Sequence, residues 1–287
     1  MTSPTQATRP SAALRDTLFV SGSDLFALGH YPGNPVYPGA LMLDRMLSMA
    51  ATLAGIALGS QARAVRVKRV QYLGVVVPGD VVTLDATICD QSDGHVTCEA
   101  VASVRGEDRV RATIVCGTAS VTIIQPNTLP AATRPHTSAP ALAHHDIARL
   151  LPHRYPFLLL DTIASYRLGE HIVGTKVINR ESPILGRVPP DAYPATLAIE
   201  SFGQAGVALF FLGQSDGPPA HALVGLMRDV TLRRPIPYDT VLTLDVRIER
   251  LRSNMVVFGG DILIGDEPVV RVGSLVVMIG GSEPAHA

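Results

Sequence analysis

Gly29-His30-Tyr31-Pro32-Gly33-Asn34-Pro35-Val36-Tyr37-Pro38-Gly39 runs directly into an apolar segment, Ala40 to Leu58. The density of Gly and Pro makes the first part a turn. Its last pair, Pro38-Gly39, opens a helix, because Pro is favoured at a helix start. That helix is apolar nearly all round, which predicts burial on all sides. It carries one acid, Asp44. Much later the chain writes an altered copy: Leu185-Gly186-Arg187-Val188-Pro189, then Tyr193-Pro194-Ala195, then a second apolar helix with Glu200. The copy has no histidine.

Outward from these turns the two copies continue in parallel. After the first helix, Ala64–Val70, Val81–Ile88, Val96–Val104 and Val110–Val121 alternate as strands, with Pro78-Gly79-Asp80 and Ser92-Asp93-Gly94 as turns. After the second helix, Val224–Leu232, Val241–Ile248, Met255–Ile264 and Val269–Ile279 do the same, and Arg69 answers Arg228. A buried helix followed by a strand meander predicts an antiparallel sheet curved around that helix, an α+β unit present twice. The expected division is a disordered tail over 1–13, a first unit over 14–124, a Pro/Ala-rich linker over 125–144 and a second unit over 145–287. The first copy has too few residues ahead of its helix to hold the opening strands expected in the second at Leu158–Ile163 and Ile172–Ile178.

Composition sets wide bounds. The 287 residues carry 24 basic and 25 acidic side chains, so no charge excess points to nucleic acid or membrane. Cys89, Cys98 and Cys116 lack zinc spacing and read as buried free thiols of a reducing, cytoplasmic compartment. The amino-terminal segment has no apolar signal core. Asp44 and Arg45, and Glu200 and Gln204, interrupt the apolar helices and argue against membrane spans.

The opening turn resembles the G-H-F-P-G-x-P-x-x-P-G signature of FabZ/FabA-type 3-hydroxyacyl-acyl carrier protein dehydratases. Leu150-Leu151-Pro152-His153-Arg154-Tyr155-Pro156-Phe157-Leu158-Leu159-Leu160-Asp161 resembles the opening of FabZ-type enzymes, and Val75-Val76-Val77-Pro78-Gly79-Asp80 resembles the strand turn after their helix. The resemblance implies a double hotdog, two helix-and-sheet units fused in one chain as a pseudo-dimer. It further implies an acyl carrier protein as partner, and a catalytic site between units that takes histidine from one and an acid from the other.

Two pairings follow. His30 with Glu200 is the expected catalytic pair. Arg187 with Asp44 is the expected degenerate second site, because arginine cannot act as a base near neutral pH; a structural ion pair between them is the expectation. Glu200-Ser201-Phe202-Gly203-Gln204 keeps the acid-x-x-x-Gln spacing of FabZ-type helices, whereas Asp44 is followed by Ser48. Gly39 is expected to offer its N–H to the thioester carbonyl, and Gln204 to orient the carboxyl or contact substrate; Ala195 stands at the Gly39 position in the copy. Dehydration then needs a base, an acid and a donor to the thioester oxygen, with no metal or organic cofactor. Two alternatives use the same residues differently: a non-catalytic acyl-binding or synthase-complex partner, and an enoyl-thioester isomerase. Gly213-Gln214-Ser215-Asp216-Gly217 follows a helix instead of a strand, so it reads as a loop and not a nucleophile elbow. His144, His145 and His153 read as structural, with no acid or cysteine companion for a metal. Arg63, Arg66, Lys68, Arg69, Arg228, Arg233 and Arg234 form basic clusters, a solvated face that also suits an acidic carrier. Acyl length, double-bond geometry and further oligomerisation are open at this level.

Overall fold

A computed structural model of the chain describes residues 12–118, 140–185, 190–214, 222–252 and 254–280. The first unit contains β1 (Ala13–Phe19), a short helix α1 (Leu25–His30), the long helix α2 (Gly39–Leu58), then β2 (Ala62–Tyr72), β3 (Val81–Ser92), β4 (His95–Val104) and β5 (Glu107–Thr118). The second contains α3 (His144–Leu150), β6 (Thr162–Arg167), β7 (His171–Ile178), a 3-10 turn at Pro183–Leu185, the long helix α4 (Ala195–Leu212), then β8 (Ala222–Leu232), β9 (Thr240–Arg252), β10 (Met255–Ile264) and β11 (Glu267–Ile279).

The strands form one antiparallel sheet in the order β1-β3-β4-β5-β2-β8-β11-β10-β9-β7-β6. Alternation along β9 buries every second residue from Thr240 to Val246, the period-2 signature of a sheet covered on one face. Helix α2 packs on β2, β3, β4 and β5, helix α4 on β7, β9, β10 and β11, and the two helices touch each other. This is a double hotdog. The units join where β2 pairs with β8, with Arg69 directly opposite Arg228. Arg66 answers the local positive charge by pairing with Asp229 at 2.5 Å, and Arg63 donates to the carbonyls of Leu232 and Arg233 across the seam.

The duplicated turn is visible in its hydrogen bonds. The Tyr37 N–H donates to the Val76 carbonyl at 2.8 Å, and the Tyr193 N–H to the Ile236 carbonyl at 2.8 Å. Pro38 and Pro194 then cap α2 and α4, each carbonyl accepting from the first turn behind it.

Several expectations need correction. Helix α2 is not buried on all sides: Arg45, Ser48, Thr52 and Ile56 form an exposed stripe, and Ile56 is 72% exposed. Helix α4 has no such stripe, because the segment from α3 to Leu160 covers it. That segment explains a second difference. Leu158–Asp161 is not strand; β6 begins at Thr162, and the residues before it run extended against α4. The turn around His30 is partly helical, since α1 reaches His30. Ala13 belongs to β1, paired with Thr87, so the amino-terminal tail is at least one residue shorter than expected; residues 1–11 lie outside the described part. Most of the expected linker, Ser215 and Arg187 also lie outside it. Cys98 and Cys116 are buried, but Cys89 is exposed. By length and mean hydropathy (1.5 each) both long helices could cross a membrane, the internal charges notwithstanding. Packing inside the sheet accounts for their apolar character, most fully in α4, whose apolar window is 83% buried.

Candidate active site

His30 ends α1, which Asp24 starts by accepting from the N–H groups of Phe26 and Ala27. Its Nδ1 lies 3.0 Å from the Val36 carbonyl oxygen. A carbonyl only accepts, so Nδ1 carries the proton and Nε2 keeps its lone pair. The Phe157 ring stands edge-on to the imidazole at 5.1 Å between centroids. Burial holds the His30 pKa down at about 4, against a smaller upward pull from the Val36 carbonyl. At neutral pH His30 is an uncharged acceptor.

Glu200 comes from α4, one and a half turns past its start. Its pKa is raised to about 7 by burial, opposed by a hydrogen bond from Gln204. Gln204 holds three groups at once. Its Nε2 donates to Glu200 Oε1 at 3.1 Å and to the Phe157 carbonyl at 2.9 Å, and its Oε1 accepts from the Leu159 N–H at 2.8 Å. Both amide hydrogens are therefore engaged by protein. Gln204 is thus placed to orient the carboxyl, and it lines the cavity as well.

Gly39 is the first residue of α2 and lines the same cavity. The N–H groups of a first helical turn have no intrahelical partner and carry the positive end of the helix dipole. A Cβ on Gly39 would lie 2.5 Å from Cε1 of Tyr72, so only glycine fits beneath that ring. The cavity has a volume of about 330 Å³. His30, Glu200 and Gly39 stand at its polar part, and Met42, Leu43, Val207, Met227, Leu275 and Val277 supply much of its apolar wall. It thus runs between the two long helices and the β2–β8 seam.

His153 is the residue the sequence did not single out. It was expected to lack an acid companion, yet it lies 4% exposed beside Glu200, Nε2 to Oε1 at 3.8 Å, with its ring 5.3 Å from that of His30. The ligand atoms of His30, His153 and Glu200 all fall within 4.8 Å of one another, too far apart to share a proton directly but close enough to contact one small group placed between them. The signal was present: His153 sits inside the Leu150–Asp161 motif, which reads only as a family resemblance, while the histidine itself reads as structural. His144 and His145 take the structural roles expected of them, near the Leu160 carbonyl and Asp146.

The motif is locked to the first unit. The Arg154 N–H donates to the Gly29 carbonyl at 2.8 Å, and Nη1 of Arg154 donates to the carbonyls of Leu151, Pro152 and His153. A Cβ on Gly29 would meet the carbonyl oxygens of Arg154 and Tyr155, both at 2.9 Å. Gly29 is thus required where the second unit's opening segment rests on α1.

The expected second site is only partly described. Asp44 occupies the position of Glu200 in α2, and its Oδ1 accepts from the Thr196 hydroxyl at 3.0 Å. Burial raises its pKa. Ser48, at the Gln204 position, is exposed and donates back to the Asp44 carbonyl. The proposed partner Arg187 falls outside the described residues.

Comparison with known proteins agrees with this geometry. The family model of ApeI-like dehydratases matches residues 8–107. The 3-hydroxyacyl-[acyl-carrier-protein] dehydratase FabZ of Paracidovorax citrulli is 32% identical over 126 residues, 42% of this chain and 86% of that protein. This chain belongs to the FabZ family. Among solved structures, the dehydratase domain of PpsC from Mycobacterium tuberculosis, solved with C12:1-CoA, superposes with a TM-score of 0.60 at 12% identity over 96% of each chain. A candidate thioesterase from Novosphingobium aromaticivorans superposes with a TM-score of 0.62 at 11% identity, over 93% of this chain and 96% of that one. These two share the double-unit fold at identities that carry no activity. The FabZ relationship comes from sequence, and the family's His-turn and acid-x-x-x-Gln helix are both present here, on opposite units.

Proposed function

We propose that this chain removes water from 3-hydroxyacyl thioesters presented on acyl carrier protein, giving the 2-enoyl thioester, in fatty-acid or polyketide assembly. One active site serves the chain, which acts as a pseudo-dimer of two hotdogs in the cytoplasm. The observation that carries the proposal is the meeting of the His30 imidazole and the Glu200 carboxyl, their ligand atoms within 4.8 Å, in a largely apolar cavity to which each is delivered by a different unit.

The acyl chain lies along the apolar wall. The thioester oxygen takes the Gly39 N–H, which stabilises the charge that builds there as the α-proton leaves. His30 Nε2 removes that proton. Glu200 Oε1 accepts from Gln204, so the carboxyl proton rides on Oε2, and Glu200 gives it to the β-hydroxyl as the Cβ–O bond breaks. The products are the enoyl thioester, one water, an imidazolium and a carboxylate. Proton return from His30 to Glu200 resets the site. No metal or organic cofactor enters the scheme.

At the second site arginine at 187 offers no base. The direct test is incubation with 3-hydroxyacyl carrier proteins of several chain lengths, followed by intact mass. Loss of one water is the expected result. No mass change with any length would favour an acyl-binding partner, and a shifted double bond without water loss from an enoyl substrate would favour an isomerase.

A further inference from the structure

Among the described residues, His153 is the one buried imidazole with an unpartnered ring nitrogen, and it faces the acid of the site. Its Nδ1 is inaccessible and has no hydrogen-bond partner. Its Nε2 lies 3.8 Å from Glu200 Oε1. That separation is too long for a direct hydrogen bond. It is the spacing of two groups that share a third polar atom between them. His153 also lines the cavity with His30 and Glu200.

Its tautomer follows from the surroundings. Orphaned buried N–H groups are rarer than under-satisfied acceptors, so the proton belongs on Nε2 and not on the unpartnered Nδ1. The side chain cannot drift to find another partner. Arg154 ties down the carbonyls on both sides of it, Gln204 holds Phe157 and Leu159, and the Arg154 N–H is fixed to Gly29. A neutral N–H donor is thereby aimed into the polar part of the cavity.

We infer that His153 is a further catalytic residue, whose Nε2–H holds the substrate's β-hydroxyl oxygen against the Glu200 carboxyl. The inference rests on the dehydratase assignment. In the step, Glu200 supplies the proton, the Cβ–O electron pair leaves with the oxygen, and His153 donates a hydrogen bond without losing its proton. The bond strengthens as charge gathers on the departing oxygen, which makes it worth more in the transition state than in the bound substrate. It also orients the hydroxyl away from His30, so that base and acid do not compete for one atom.

The test uses the full chain with His153→Phe, which keeps the bulk and removes the donor, and His153→Gln, which returns an N–H at similar reach. The expected result is a kcat for dehydration lowered roughly 10- to 100-fold by Phe and within about 5-fold of wild type for Gln. Binding supplies a second readout that a structural role would not move selectively. Phe should weaken a 3-hydroxyacyl thioester relative to its saturated analogue, which has no hydroxyl to hold. Equal loss in both variants, or equal weakening of both ligands, overturns the inference. Should the Phe variant fail to fold, His153→Leu replaces it in the same comparison with Gln. A wild-type chain that releases no water from any 3-hydroxyacyl substrate would instead overturn the dehydratase assignment, so the two failures are distinct.

Discussion

Helices α2 and α4 begin alike and end up in different surroundings. Each follows a tyrosine whose N–H meets a strand carbonyl at 2.8 Å, and each is capped by proline. Five residues into each comes a half-buried acid. The difference lies in what covers the next turn. The second unit supplies α3 and the extended residues after it, and Gln204 is consumed in holding that segment and the Glu200 carboxyl together. In the first unit no described segment takes that place, and Ser48 faces water. Loss of the glutamine and loss of its cover are therefore one change. A glutamine at 48 would have no backbone to clamp and nothing to gain over serine.

The same asymmetry explains why the site is assembled across the seam. The covering segment of the second unit reaches over α4 and rests on Gly29 of the first, which brings His153 and Phe157 beside His30. Acid and base come from different halves because the segment that shields the acid also packs against the base.

Substitutions made in pairs, one in each half, can break this comparison. The largest difference is expected at the base. His30→Ala should lower kcat roughly 10²- to 10⁴-fold, whereas Arg187→Ala should leave it unchanged, measured by enoyl product formation; a loss of only about half from each would mean both sites work. Next comes the helix start. Gly39→Ala drives a methyl to 2.5 Å from Tyr72 and disturbs the oxyanion donor, for a loss of roughly 10²-fold or more in kcat. Ala195→Gly should cost only about 1 kcal/mol of stability, with activity kept.

Stability separates the next pair. Gln204→Ala leaves the Leu159 N–H and the Phe157 carbonyl buried without their partner, at about 1–3 kcal/mol each. Ser48→Ala on the exposed stripe should change stability by less than about 0.5 kcal/mol. Urea denaturation of both variants checks it, and similar midpoints would contradict the clamp.

The pH dependence is the mildest of these effects. His30 must be deprotonated and Glu200 protonated, so kcat/KM should rise through about pH 4 and fall through about pH 7. Stability follows the same groups by linkage. Glu200 has a raised pKa, so the stability tied to its proton is complete below its ordinary value of 4.5 and is lost as pH rises through about 7. His30 has a depressed pKa, so its contribution is present above 6.5 and is lost as pH falls through about 4. Melting of Glu200→Gln should consequently be flatter between pH 5 and pH 8 than that of the wild type.

Much of this was legible in the residues. Period-2 alternation located β2 to β5 and β8 to β11, and the Pro-capped apolar runs located both long helices, because those patterns report local geometry directly. The duplicated turn exposed the repeat. The motif spacings gave His30, Gly39, Glu200 and Gln204, and the structure brings all four to one cavity. What escaped was long-range. Leu158–Asp161 is apolar enough for a strand, but the Leu159 N–H goes to the Gln204 side chain and the Leu158 N–H to the Arg154 carbonyl, which no local pattern reveals. His153 looked ordinary because its companion acid is 47 residues away and its companion base lies in the other unit. The apolar stripe of α2 promised burial on every side, yet burial needs a neighbour, and the sequence of one helix does not say whether a neighbour exists.

The central claim is that one acid works and its counterpart does not. It is tested most directly by preparing Glu200→Gln and Asp44→Asn side by side and following dehydration of a 3-hydroxyacyl carrier protein by intact mass. The expected outcome is a loss of roughly 10²- to 10⁴-fold for Glu200→Gln and a rate within about 2-fold of wild type for Asp44→Asn. Comparable losses from both would contradict the single-site account.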